Sequence, residues 1–430
     1  MPEEFGHSGQ GSADPSGSGA DEALAPRRRS TDQTPLGSII GAIERAFAEQ
    51  DFALTAELLN RDALAAWYGL QPERLRQMIE ALSAAGTPLN QFLLAIAAVM
   101  SGAGSELVAE DLGGSIPDQG MPPESVAAIG HMFSLRLQGR PVEALEVARG
   151  LDEHVAPLQP IFDSHRGWQL FGAVQRGLTA MLAGDFPEAL SSLTQARMHA
   201  MVPHLSFLTR DAKAKTAVLK ALYGDQDRAR ALLDEADRLP RTESWAEGLV
   251  DATATIAAAL VRSQDPEEGL RTLSAIPLHE VGEMWPFYAA ALHRLLLVSG
   301  ELAEGQRRIS MLESLPLPRT EGQGYSGSVL PLMRVWLSSL QGDLVEARRH
   351  ADRADPALSV TRVTLARLEL TSGRPREALA LMEGLREQTS AFRLLEVQRI
   401  AVIAASHLAL GAENDCREVL EVAMRLPGGP

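Results

Sequence analysis

A short pattern that keeps returning constrains this chain more than any other feature. Gly139-Arg140-Pro141-Val142-Glu143-Ala144-Leu145 and Gly373-Arg374-Pro375-Arg376-Glu377-Ala378-Leu379 differ at one place. Related runs begin at Gly184, Gly224 and Gly342, and weaker copies at Gln264, Gly300 and Gly411. Successive starts lie 31 to 45 residues apart, room for two helices and two turns. Periods of this size belong to stacked repeats, in which each unit buries its apolar face against the next.

Two positions within the repeat carry a packing rule. Five residues after the start stand Ala144, Ala189, Ala229, Gly269, Gly305, Ala347, Ala378 and Cys416, all small. Nine after it stand Ala148, Leu193, Leu233, Leu273, Ile309, Ala351, Met382 and Leu420, all apolar. A four-residue interval puts both on one helix face. Small side chains allow close approach of two helix backbones, and a glycine suits the left-handed cap ending the preceding helix. From Ile39 onward, apolar residues recur at three- and four-residue spacing, and alternating runs are scarce. The fold expected is all-α, a helix–turn–helix solenoid.

The turn resembles that of the tetratricopeptide repeat family, whose second helix opens on a Gly-Asp-aromatic-Glu-Glu-Ala run. Gly184-Asp185-Phe186-Pro187-Glu188-Ala189 carries the likeness best. The family's small residue in the middle of the first helix survives as Gly177, Ala217, Ala257, Ala366 and Ala404; His293 and Val335 replace it elsewhere. The resemblance implies a right-handed α-solenoid. A narrower one, over roughly residues 39–426, rests on Ala46–Phe52, Ala56–Leu59 and Glu73–Leu82 together with the alanine-rich repeats. These are similar to the sensor solenoid of MalT-like, LuxR-family bacterial transcription regulators. That family carries an ATPase before the solenoid and a helix-turn-helix domain after it. No phosphate-loop Gly-x-x-x-x-Gly-Lys-Ser/Thr occurs here, and the sequence stops at Leu426–Pro430. The resemblance therefore implies a bacterial regulatory module reading a signal or partner, with DNA contacts supplied by other polypeptides.

Five stretches are expected: a disordered Gly/Ser/Pro/Asp-rich tail over 1–38, N-terminal helical repeats over 39–101, a loop or hinge over 102–123, an array of about eight repeats over 124–426, and a tail over 427–430. The longest apolar-rich run, Phe92 to Met100, is too short for a membrane span, and no signal peptide is visible, so a cytoplasmic location is expected. Net charge of −16 has the wrong sign for phosphate backbones, and 5% aromatics argue against a base-stacking surface. The chain is thus expected to make no direct contact with nucleic acid or membrane. Oligomeric state stays open.

No catalytic or metal-binding pattern stands out, so no enzyme, metal or cofactor is expected. Gly322-Gln323-Gly324-Tyr325-Ser326-Gly327 has dinucleotide-fingerprint spacing but follows Pro316 and Pro318 rather than a strand; it is expected to be an inter-repeat loop. The single cysteine, Cys416, excludes an intrachain disulfide and sits where a small residue is demanded. His199 and His204 have Pro203 between them and cannot share a helix face.

In such a stack, first helices line a concave wall, the surface solenoids use for recognition. Family alignment places positions six and three before each turn on that wall: Leu178 and Met181, Val218 and Ala221, Ala258 and Val261, Arg294 and Leu297, Trp336 and Ser339, Arg367 and Leu370. Phe287 begins the helix that carries Arg294. Trp and Arg concentrate at binding hot spots. A groove of Phe287, Arg294, Trp336, Arg367, Leu178 and Met181 is expected to hold a protein or peptide with an acidic group, or an amphipathic anionic effector. The competing reading is that tight superhelical twist packs these side chains onto neighbouring first helices.

Overall fold

In the computed structural model, the described residues are 35–100, 123–155, 167–198, 202–263 and 265–425. Residues 1–34 of the expected tail, 102–122 of the expected hinge and the closing 427–430 lie outside them. The first helix starts at Pro35 and buries Leu36, so helix begins inside the stretch read as tail. All regular structure among the described residues is helical.

Each expected repeat is a helix pair. The pairs are Pro123–Leu137 with Pro141–Val155, Trp168–Ala183 with Phe186–Met198, Ser206–Tyr223 with Gln226–Asp237, and Glu247–Val261 with Pro266–Ser274. Then come Trp285–Val298 with Leu302–Ser314, Gly324–Leu340 with Leu344–Ala351, Ser359–Thr371 with Pro375–Met382, and Arg393–Ala409 with Glu413–Met424. Their joints follow from two adjacent residues. Turn glycines from Gly139 to Gly411 have φ between 73° and 110°, the left-handed cap that L side chains avoid. The aspartate after many of them opens the next helix: Asp185, Asp225 and Asp343 each accept from the backbone N–H three residues on. One dipeptide closes a helix and starts another.

The small slot behaves as the packing rule requires. Ala144, Ala189, Ala229, Ala347 and Ala378, with Gly269 and Gly305, are buried. A Cβ on Gly269 would lie 2.7 Å from the Ala259 carbonyl oxygen, and one on Gly177 would meet Leu193 at 2.7 Å. Cys416 is half-buried and Leu420 exposed, because Glu413–Met424, the last helix described, buries none of its residues.

The array winds tightly enough for distant repeats to meet. Arg136, buried, donates to Gln175 Oε1 at 3.0 Å, Thr179 Oγ1 at 3.1 Å and Glu283 Oε2 at 2.9 Å. The Gly184 turn presses on Leu358, the Gly224 turn on the Leu394 backbone, and Lys220 donates to the Ala391 carbonyl at 2.9 Å. Phe186, Tyr223, Phe287, Tyr325 and Phe392, from five separate segments, form one aromatic plug; Phe287 and Tyr325 stack at 4.9 Å and Phe186 lies 5.9 Å from Phe392. Five of the aromatic residues thus close the superhelix.

The N-terminal helices share this core. Tyr68 packs on Phe207 at 4.7 Å, and Trp245 Nε1 donates to the Trp67 carbonyl at 2.7 Å. One continuous buried cluster runs from Ile43 to Leu395. The Gly322–Gly327 segment corrects its reading as a loop. Gly324 starts the Gly324–Leu340 helix, its N–H held by Asp355 Oδ2 at 2.9 Å, and Gly324, Tyr325, Ser326 and Gly327 are buried. A Cβ on Gly327 would sit 1.9 Å from the Thr320 carbonyl oxygen, so glycine is there for packing.

Candidate binding pocket

The side chains expected on the inner wall part company along the array. Leu178, Met181 and Phe287 lie in the core and line no groove. The Gly324–Leu340 helix packs against Trp168–Ala183, which carries the first two, while Phe287 is stacked on Tyr325. Val218, Ala221 and Val261 are buried as well. Arg294, Trp336 and Arg367 are half-buried, and they converge.

Arg294 and Trp336 line one pocket of about 260 Å³. Four first helices and the end of a fifth form its walls. Trp285–Val298 presents Ala290, His293, Arg294 and Leu297; Gly324–Leu340 presents Tyr325, Val329, Leu332, Met333 and Trp336. Each set keeps three- and four-residue spacing, one face of one helix. Val298, Val360 and Thr364, Leu394, Leu395 and Gln398, and Leu222 with Tyr223 complete the lining. Most of that wall is apolar, as ligand pockets usually are.

Its polar groups are few and differently held. Arg294 Nη1 donates to the carbonyls of Ala221 at 3.0 Å and Leu222 at 2.8 Å, capping the end of Ser206–Tyr223 with positive charge. Arg367 lies outside the lining, its guanidinium 3.9 Å from the centre of the Trp336 ring. Among the described residues neither arginine has an ion-pair partner, and no Asp or Glu lines the pocket. His293 is 7% exposed, both ring nitrogens are buried, and neither has a hydrogen-bond partner among the described residues.

Burial sets the protonation. It pushes His293 down to about 4, so the imidazole is uncharged at neutral pH. It raises Tyr325 to about 12 and Tyr223 well above its ordinary value, so both phenols keep their protons. It also lowers Arg294, against the opposing influence of Tyr223, and lowers Arg367. The site offers an apolar wall, uncharged donors and a guanidinium. His293 has no carboxylate to orient it and no nucleophile bound to it, so the parts of a catalytic triad are not assembled here.

Several lining residues lay outside the expected groove. His293 did carry a signal, as the residue that breaks the small first-helix slot. Tyr325 sat in the glycine-rich run taken for a loop. Tyr223, Leu394 and Gln398 come from pairs far along the chain, and superhelical closure alone brings them together. Among the described residues no group of three metal-ligating side chains is found, and no helix is long and apolar enough to cross a membrane.

Comparison with known proteins agrees on the repeat. A tetratricopeptide repeat family model matches residues 359–383. No curated protein matches the sequence. Among solved structures, the chain is similar to one in the crystal structure of the APC/C hetero-tetramer Cut9-Hcn1, at 10% identity, with 92% of this chain and 88% of that chain covered and a TM-score of 0.40. The chain is an array of helix pairs, one stretch of which matches the tetratricopeptide repeat model.

Proposed function

We propose that the chain is a non-catalytic scaffold that recognises a small amphipathic effector in the pocket between Trp285–Val298 and Gly324–Leu340. One observation carries this reading: a mostly apolar pocket of about 260 Å³ with a guanidinium in its wall stays open, while Leu178, Met181, Val218 and Ala221 on the earlier inner wall are buried. The pocket also joins elements far apart in sequence, so an occupant would brace one superhelical turn against the next. That is the behaviour of a signal-sensing module, the role implied by the resemblance to MalT-like regulators.

A thermal-shift screen of metabolites, repeated on Val329→Trp, tests the proposal. A ligand at one hundred times its Kd stabilises by about 2.7 kcal/mol, and the filled pocket should abolish that gain. Stabilisation that survives Val329→Trp would place the effector elsewhere. A second reading is favoured by the half-buried Trp336–Arg367 stack: a protein or peptide partner inserts one apolar side chain and sets an acidic group against Arg367. Capture of the same partner by wild type and an Arg294→Glu/Arg367→Glu double variant would exclude that mode.

A further inference from the structure

The pocket's charge narrows what it accepts; this step rests on the reading that the pocket is a binding site. Formal charge across the chain is −16, yet the lining holds one arginine and no carboxylate. Arginines elsewhere in the array meet acids directly: Arg149 reaches Glu188 at 2.6 Å, Arg334 reaches Glu313 at 2.7 Å and Arg353 reaches Glu321 at 2.7 Å. Arg294 instead spends Nη1 on two carbonyls, whose partial charges offset only part of its own. Beside it His293 lines the wall as a neutral ring whose two nitrogens are buried. Arg367 adds a second unpaired cation behind Trp336. Away from these groups, Val329, Leu332 and Met333 leave only apolar surface.

We propose that the occupant is a small monoanionic amphiphile, a carboxylate on a short alkyl or aryl body. Its carboxylate meets Arg294, and its body lies against Val329, Leu332, Met333 and Trp336. A carboxylate suits the site because a charge-assisted bond to guanidinium is stronger than a neutral one. A cation would meet Arg294 with like charge and nothing to offset it. A neutral alcohol would keep the apolar contacts and lose the ionic one.

Three probes with the same tail decide it: octanoate, octanol and octylamine, titrated into the full chain at neutral pH. Trp336 fluorescence and calorimetry give the affinities. Octanoate should bind roughly tenfold or more tighter than octanol, with octylamine weakest. Arg294→Gln should bring octanoate to the level of octanol while leaving octanol unchanged, which also reports that the pocket is intact. If Arg294→Gln unfolds, the wild-type series alone carries the test. Octanol binding as tightly as octanoate would overturn the anionic assignment and leave the pocket standing. Failure of all three to bind would overturn it too, and a metabolite hit blocked by Val329→Trp would show that the site itself survives.

Discussion

The first helices of the early and late repeats hold equivalent positions and meet opposite fates. Leu178, Met181, Val218 and Ala221 are buried, whereas Arg294, Trp336 and Arg367 stay half-open around a pocket. Superhelical closure explains the first group, because Gly324–Leu340 lies across Trp168–Ala183 and the aromatic plug fills the axis beside it. Side-chain bulk explains the second. His293 and Val335 stand where other first helices carry glycine or alanine, and the pocket lies on the helices that carry them. The same repeat therefore makes a solid core in one part of its winding and a receptor site in another.

Phe287→Ala breaks the closed part most directly. The ring is fully buried and stacked on Tyr325, so its truncation should cost about 3–5 kcal/mol, read as a shift in the urea midpoint. Trp336→Ala, at the half-open wall, should cost clearly less. Equal losses would mean that the two walls are packed alike.

Acid should separate the regions next. His293 holds a folded-state value of about 4 against an ordinary 6.5. As pH falls below 6.5 the unfolded chain takes up the proton first, so stability is full above 6.5 and declines towards 4, by on the order of 3 kcal/mol. Glu188 and Glu396, both lowered from 4.5 by their arginines against the cost of burial, add their own acid loss below that window. Between pH 4.5 and 6.5 the slope belongs to His293 together with His204 and His350, which burial also lowers. A His293→Leu variant should flatten it in chemical denaturation; an unchanged slope would show that the imidazole is not shielded from water.

Much of the closed part was legible because its cause is local. The glycine that must adopt positive φ, and the alanine that must let a neighbouring backbone approach, are demanded by contacts within one pair or between consecutive pairs. Their spacing therefore appears in the sequence. The pocket depends on meetings such as Gly224 with Leu394 and Tyr223 with Phe392, which no repeat period encodes. Arg294, Trp336 and Arg367 could be singled out as unusual on an apolar wall. That Phe287 turns inward, and that His293 faces the pocket, depends on curvature accumulated over several pairs. The Gly322–Gly327 run misled for a related reason: its glycines answer to Thr320 and Asp355 in the fold, a packing demand that looks like a loop in sequence.

A smaller effect tests the closure itself. Gly139 and Gly342 share the left-handed conformation, at φ 74° and 79°, but a Cβ on Gly139 would lie 2.3 Å from the Arg319 backbone while one on Gly342 meets nothing within 4 Å. Gly342→Ala should lose only the conformational cost of about 1–2 kcal/mol. Gly139→Ala should lose about 1–3 kcal/mol more, the cost of overpacking. Matching losses would mean that the Gly139 turn does not touch the later repeat.

The smallest effect belongs to the rim. Arg367 contributes a cation–π contact to Trp336 and no ion pair, so Arg367→Gln should cost about 0.5–1 kcal/mol in stability. Its consequence for recognition should be larger than that. A second cation behind the ring strengthens the field at the pocket mouth, so Arg367→Gln should weaken octanoate more than octanol while Phe287-dependent stability is untouched. Were Arg367→Gln to destabilise the fold as much as Phe287→Ala, the late wall would be core after all, and the contrast between the two halves of the winding would vanish.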